Sequence, residues 1–310
     1  MKQRGLVVIL SFCILLLVGV NRDTSVHGEN NQRSGAVVML ASIPMQADKE
    51  TLKVEPEEQI LTLLTFNMHS AIDQEGNVAL EQIIDEIKET DAQLIGLQEV
   101  EHNMPRSNYQ DQARLIAEAL GYHYYYEGNI NILGVQYGNA LLSKFPIISA
   151  QNHKLPKKML EPRGLIEAEV DVDGIPYYVF VTHLGLNKLE RNLQIQYINE
   201  RLSKREGNIL ILGDFNNNPD GEEMDMLDSI MVDSAVALNK SDLYTFSNWG
   251  ATAEERIDRI YVSEQIGLKN HEVKPSLVSD HKRVIAQIVH KIQKREGIYK
   301  AMANKDDRED

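Results

Sequence analysis

The chain has 310 residues, 43% of them hydrophobic, which suits one large domain or two small ones with a sizeable core. Its formal net charge is -14 and its body carries no basic run, a balance that argues against gripping long nucleic acid through neutralised phosphates. The single cysteine, Cys13, lies in an N-terminal apolar run. The body therefore forms no intrachain disulfide, and any metal must be held by oxygen and imidazole ligands, a set suited to hard divalent cations rather than structural zinc.

Met1-Lys2-Gln3-Arg4 is a short cationic head, and residues 6–20 are apolar. That is the pattern of a secretory leader, with a cut expected ahead of Glu29. The run is short for a bilayer span of about 20 residues, so cleavage is favoured over retention as an anchor. Residues 1–28 are thus read as a signal peptide or N-terminal anchor. Residues 29–59 are read as a polar linker broken by an apolar patch at 36–43. The tail over 291–310 is charged throughout.

The body, 60–290, alternates strand and helix signals. Residues 60–66 are β-prone and end at Asn67. Leu80, Ile83, Ile84 and Ile87 recur at helical spacing. Residues 94–97 predict a buried strand ending at Gln98-Glu99, and 111–120 a helix stopped by Gly121. The tyrosines at 122 and 124–126 predict strand packing. Residues 139–143 lead to a turn at Phe145-Pro146, and 165–172 with 177–181 predict a hairpin around Asp173-Gly174. A helix is expected over 186–205, and a buried strand over 208–212 ends at Gly213-Asp214. Later strands are expected over 259–262 and 284–288. Helices alternating with strands, but with hairpins among them, predict two packed mixed sheets with helices outside.

The polar residues Asn67, Glu99, His183, Asp214, Asn216, Asp258, Asp280 and His281 each fall at or beside the end of an apolar strand. Taken singly, each is more simply a turn or cap residue. Gathered at one edge of a sandwich, they would line a cleft able to bind a hard cation and perform acid–base chemistry.

The ordered segments Thr65-Phe66-Asn67-Met68-His69, Gly96-Leu97-Gln98-Glu99-Val100, Thr182-His183-Leu184, Gly213-Asp214-Phe215-Asn216, Arg256-Ile257-Asp258-Arg259 and Ser279-Asp280-His281 resemble the motifs of the endonuclease/exonuclease/phosphatase superfamily. Pro105-Arg106-Ser107, Tyr137-Gly138-Asn139, Glu161-Pro162-Arg163-Gly164 and Thr245-Phe246 are similar to its compact bacterial metal-dependent hydrolase branch, although Trp249 and Glu254-Glu255 stand where that branch usually has prolines.

The resemblance implies an α/β fold, a four-layer α/β/β/α sandwich, and a metal-dependent phosphoesterase. It implies a metal set of Asn67, Glu99 and Asp280, with Asn67 as ligand or orienter. The catalytic set it implies is His183, Asp214, Asn216, Asp258 and His281. In it Asp258 pairs with His281, Asp214 orients water, and His183 and Asn216 donate to phosphoryl oxygens. Arg163 and Asn139 are candidate substrate contacts, Arg163 with a salt bridge to Glu161 or Glu167 as its competing role. His69 either faces the site or caps the loop after Asn67. Magnesium or manganese is the expected cofactor, with calcium as a further candidate.

The acidic balance favours a small-molecule phosphate ester or a lipid head group over duplex nucleic acid, a secreted nuclease being the alternative. No Trp-rich or Phe-rich loop marks a membrane-contact element. A catalytically inactive binding module on the same fold is disfavoured because every expected carboxylate and imidazole is present. No protein partner is expected, and the folded domain is expected to be secreted or held at the outer face of the cytoplasmic membrane.

Overall fold

The computed structural model describes residues 57–158, 161–217, 222–249 and 255–292. The leader expected over 1–28, nearly all of the linker over 29–59 and the tail beyond Ile292 lie outside them.

The chain runs through β1 (Glu57–Asn67), α1 (Leu80–Lys88), β2 (Leu94–His102), α2 (Gln112–Leu120), β3 (His123–Ile132), β4 (Val135–Ser143), β5 (Ile147–Lys154), β6 (Gly164–Val172) and β7 (Ile175–His183). It continues with α3 (Lys188–Leu202), β8 (Asn208–Asp214), α4 (Asp225–Asp228), β9 (Val232–Asp233), α5 (Ser234–Ala237), β10 (Asp258–Val262), β11 (Gly267–Lys274) and β12 (Arg283–Ile292). The strands form two six-stranded sheets, ordered β11-β12-β1-β2-β4-β3 and β5-β6-β7-β8-β10-β9.

Each sheet has a parallel pair at its centre, β1 with β2 and β7 with β8, flanked by antiparallel partners. Parallel neighbours need a crossover, supplied by α1 in one sheet and α3 in the other. Both pairs therefore end at the same edge of the sandwich, with Asn67 opposite Gln98 and His183 opposite Asp214.

The layers follow from strands that are apolar on both faces. Leu61, Leu63 and Leu94 face Leu210 and Leu212 between the sheets, whereas Leu64, Phe66, Ile95 and Leu97 point outward beneath α1 and α2. Ile209 and Ile211 point to the other side, beneath Ile195 and Ile198 of α3. This is the expected helix–sheet–sheet–helix sandwich, and its central strands read as unbroken apolar runs because neither face meets water.

Boundaries differ in places. β1 starts at Glu57 rather than Ile60 because its pairing with β12 continues to Ile292. The helix expected over 186–205 is Lys188–Leu202, since Asn187 caps it by accepting from the backbone N–H groups of Leu189 and Glu190. The hairpin at Asp173-Gly174 and the left-handed stop at Gly121 are as expected. β5 and β11 are absent from the sequence reading; both are edge strands with mixed exposure and no clean alternation. Among the described residues, no helix is long and apolar enough to cross a membrane.

Candidate active site

The ends of β1, β2, β7 and β8 and the starts of β10 and β12 bring the expected polar residues together. Asn67 is the hinge of the arrangement. Its Nδ2 donates to Glu99 Oε1 at 3.0 Å and to Asp214 Oδ2 at 3.1 Å, tying the first sheet to the second. Its Oδ1 accepts from the backbone N–H of His69 at 3.1 Å, so Asn67 orients the carboxylates through its amino group. Glu99 reaches this position through a break in the β2–β4 register between Leu97 and Val100, with a left-handed φ of 59° at Glu99 itself. A bulge that re-aims one side chain, held in a sparsely populated backbone region, is typical of functional sites.

Asp214 is the buried centre. Its Oδ1 accepts from the backbone N–H of Asn216 at 2.9 Å, and its Oδ2 lies 3.3 Å from His183 Nε2 and 3.8 Å from His281 Nε2. His281 Nδ1 is 2.9 Å from Asp258 Oδ2. Burial, reinforced by the charge of Asp258, pushes the Asp214 carboxyl up to about 7. Burial opposes charge on His281, but Asp258 and Asp214 outweigh it and push that imidazole up to about 10. Burial, then the charges of Arg163 and His281, hold His183 well below the usual imidazole range. One centre thus holds a cationic imidazole, a neutral imidazole and a carboxyl group poised near neutrality, an arrangement able to give and take protons.

Among the described residues, Asp214, Asp258 and His281 also form a group of potential metal-ligand atoms within 4.8 Å of one another. Within this group His281 Nδ1 and Asp258 Oδ2 already satisfy each other. Glu99 and Asp280 fit a cation better. Both carboxylates are partly exposed, and His69 Nδ1 stands between them at 4.0 Å and 3.2 Å. The hydrogen bond to Asp280 raises the His69 pKa despite burial, as expected where carboxylates draw positive charge. An oxygen-rich, net-negative pair of this kind suits a hard divalent ion.

His69 faces the site rather than only closing the loop. Arg163 is buried and pairs with Glu161 at 3.2 Å, and its Nε, sealed from solvent, has no hydrogen-bond partner among the described residues. Glu167, the other expected partner of Arg163, is taken by His153, Arg201 and Arg205. Two candidates are engaged in scaffolding: Asn139 Nδ2 donates to the Gly164 carbonyl at 3.3 Å, and Asn216 Nδ2 to the Leu184 carbonyl at 2.9 Å. Arg106 is bound to Glu101 and Ser70.

Three aromatic neighbours of the site stand outside the residues singled out for chemistry. Tyr137 is held well above its ordinary value by burial and then by the Glu99 charge. The Phe246 ring lies 4.7 Å from that of His281, and the Trp249 ring meets His69 edge-on at 5.5 Å. Tyr137 lies within β4, whereas Phe246 and Trp249 are placed by the loop before β10, which no spacing rule encodes.

The model of the Endonuclease/Exonuclease/phosphatase family matches residues 64–281. Among curated proteins, cwh43 of Schizosaccharomyces pombe is 29% identical over 141 residues, which is 45% of this chain and 14% of that one. The uncharacterized protein YbhP of Escherichia coli is 25% identical over 166 residues, 50% of this chain and 66% of its own length. The chain thus spans less than two thirds of either relative. A mannosyl-6-phosphatase of Bacteroides thetaiotaomicron superposes with a TM-score of 0.60 at 19% identity, covering 74% of this chain and all of that one, a likeness of fold. The chain belongs to the endonuclease/exonuclease/phosphatase family.

Proposed function

We propose that the protein is an exported, divalent-metal-dependent phosphoesterase that hydrolyses a small or lipid-head-group phosphodiester or phosphomonoester. The observation that carries this reading is the Asn67 amide bridging Glu99 and Asp214 across the two sheets, which sets a cation-binding edge directly beside a proton-handling centre. Glu99 and Asp280 would hold magnesium or manganese, which when bound supplies Lewis acidity toward a phosphoryl oxygen. Arg163, whose charge is felt at His183, would set positive charge beside the phosphate. Asp214 orients water and accepts its proton as the new O–P bond forms. His281, fixed by Asp258, gives a proton to the departing ester oxygen.

The acidic total charge supports small or lipid substrates over duplex nucleic acid. The cationic head and apolar run of the N terminus support export. The test is a panel of phosphodiesters, phosphomonoesters, nucleic acids and phospholipids, each with magnesium, manganese or calcium. Turnover should need the metal and vanish on chelation. Glu99→Gln should lose activity together with the metal-induced rise in melting temperature. Activity surviving thorough chelation would refute the mechanism, and a full-length chain recovered from cytosol would refute export.

A further inference from the structure

The β3–β4 hairpin breaks a local rule that the chain's other tight hairpin obeys. Both turns have two central residues with positive φ, Asp173 (54°) with Gly174 (85°) and Leu133 (53°) with Gly134 (85°). Such a turn calls for Asn or Asp before Gly, because a branched aliphatic residue is disfavoured in the left-handed region. Asp173-Gly174 complies, whereas Leu133 places a large apolar side chain there. That side chain is 101% exposed and buries nothing, and its neighbour Ile132 is 65% exposed. Ile130 and Val135 extend the apolar tip on either side.

The tip stands at the catalytic edge. β4 pairs His102 with Gln136 at the end of β2, so the turn projects on the order of 10 Å past that strand. The carbonyl of Gly134 accepts from Asn103 Nδ2 at 3.4 Å, tying the tip to the loop that carries exposed Tyr109. Exposed Leu186 and Leu189 follow the end of β7 at the same edge. The β5–β6 connection there adds exposed Lys157 and Lys158. Apolar tips on separate loops around a site, with a lysine pair beside them, match a flat surface of head groups over hydrocarbon rather than a groove-filling peptide.

We propose that the Ile132-Leu133 hairpin tip docks the catalytic edge onto a lipid surface by entering its outer acyl region. Docking stands apart from the chemistry; it rests on the phosphoesterase reading only in making a membrane phospholipid the substrate delivered to the site.

The test places an environment-sensitive fluorophore at Leu133→Cys in full-length Cys13→Ser protein, with the same label at Asp173→Cys, on the opposite edge, as control. Labelled protein is mixed with phosphatidylcholine vesicles, with or without phosphatidylglycerol. The label at 133 should brighten and be quenched by nitroxide lipids, whereas the label at 173 should not. Brightening only with phosphatidylglycerol assigns the surface to anionic lipid, and equal brightening assigns it to the apolar tips alone. Ile132→Ser with Leu133→Ser should lower turnover of a vesicle-borne ester by roughly tenfold per side chain withdrawn from lipid, leaving a soluble diester unaffected. No brightening at 133 with either vesicle overturns the docking, whatever the soluble-substrate result. Concentration-dependent dimerisation abolished by the double substitution, without vesicle binding, overturns it in favour of a second copy of the chain. Absence of soluble turnover in the parent protein refutes the phosphoesterase reading while leaving the fluorescence result to decide the docking.

Discussion

His281 works only if its ring is held in one orientation, and the residues around it serve that end. Thr245 Oγ1 accepts from the backbone N–H groups of Ile257 and Asp258, each at 3.0 Å, fixing the start of β10. Ser279 Oγ accepts from the N–H of His281 at 3.0 Å and donates to the Asn67 carbonyl at 2.7 Å, joining the last motif to the first. Asp258 then holds Nδ1 of the ring, so the two residues should behave as one unit. His281→Ala and Asp258→Asn should each lower turnover, the first by roughly a hundredfold or more, with little effect on substrate affinity. The double variant should lose far less than the product of the single losses. Steady-state kinetics on the best substrate of the panel, with circular dichroism to confirm folding, decides it. A double variant that loses the full product would show that the residues act independently.

At the scale of elements, the distance between the sheets decides whether the site exists. Gly96 in β2 lies against β7 and β8: a Cβ built there would stand 2.8 Å from Leu212 Cβ and 3.1 Å from Val181 Cγ1. Leu212 is two residues before Asp214, and Gly96 three before Glu99, so the close approach sits directly behind the Asn67 bridge. Gly96→Ala should force the sheets apart, costing about 1–3 kcal/mol of stability, and should depress turnover by stretching that bridge. Urea unfolding and kinetics on the same preparation test both effects. An unchanged midpoint and unchanged turnover would mean that the sheets have slack here. These elements also divide what was readable in the sequence from what was not. β1, β2 and β8 are apolar on both faces and end in chemistry, so pattern and motif agreed on them. Edge strands β5 and β11 carry half-exposed side chains and no periodicity. The strained φ of Glu99, the placement of Phe246 and Trp249 over the site, and the aliphatic tip at Leu133 come from bulge and loop geometry, which spacing does not encode.

Across the whole molecule, several histidines are kept neutral by burial, which ties stability to pH. His271 is the clearest case away from the site: its Nδ1 lies 3.0 Å from Ser234 Oγ, and burial is the main cause of its fall from 6.5 to about 4. Between those values the unfolded chain binds a proton that the folded chain refuses. The stability contributed by neutral His271 is therefore complete above pH 6.5 and is lost as pH falls toward 4, by up to about 3 kcal/mol. Asp214 acts in the opposite sense over part of the same window, because its raised carboxyl makes the folded state bind the extra proton. A bare pH profile would therefore mix the two, and a comparison of variants is needed. His271→Gln cannot be protonated and can still hydrogen-bond Ser234, so it removes the His271 contribution and leaves that of Asp214. At pH 7.5 the variant should be less stable than the parent through imperfect packing. At pH 4.5 the gap should close or reverse by about 2–3 kcal/mol, because only the parent is still penalised for excluding the imidazole proton. Denaturant unfolding of both proteins at the two pH values measures this directly. A gap of the same size at both would mean that His271 takes up its proton in the folded state and that its burial costs nothing in acid.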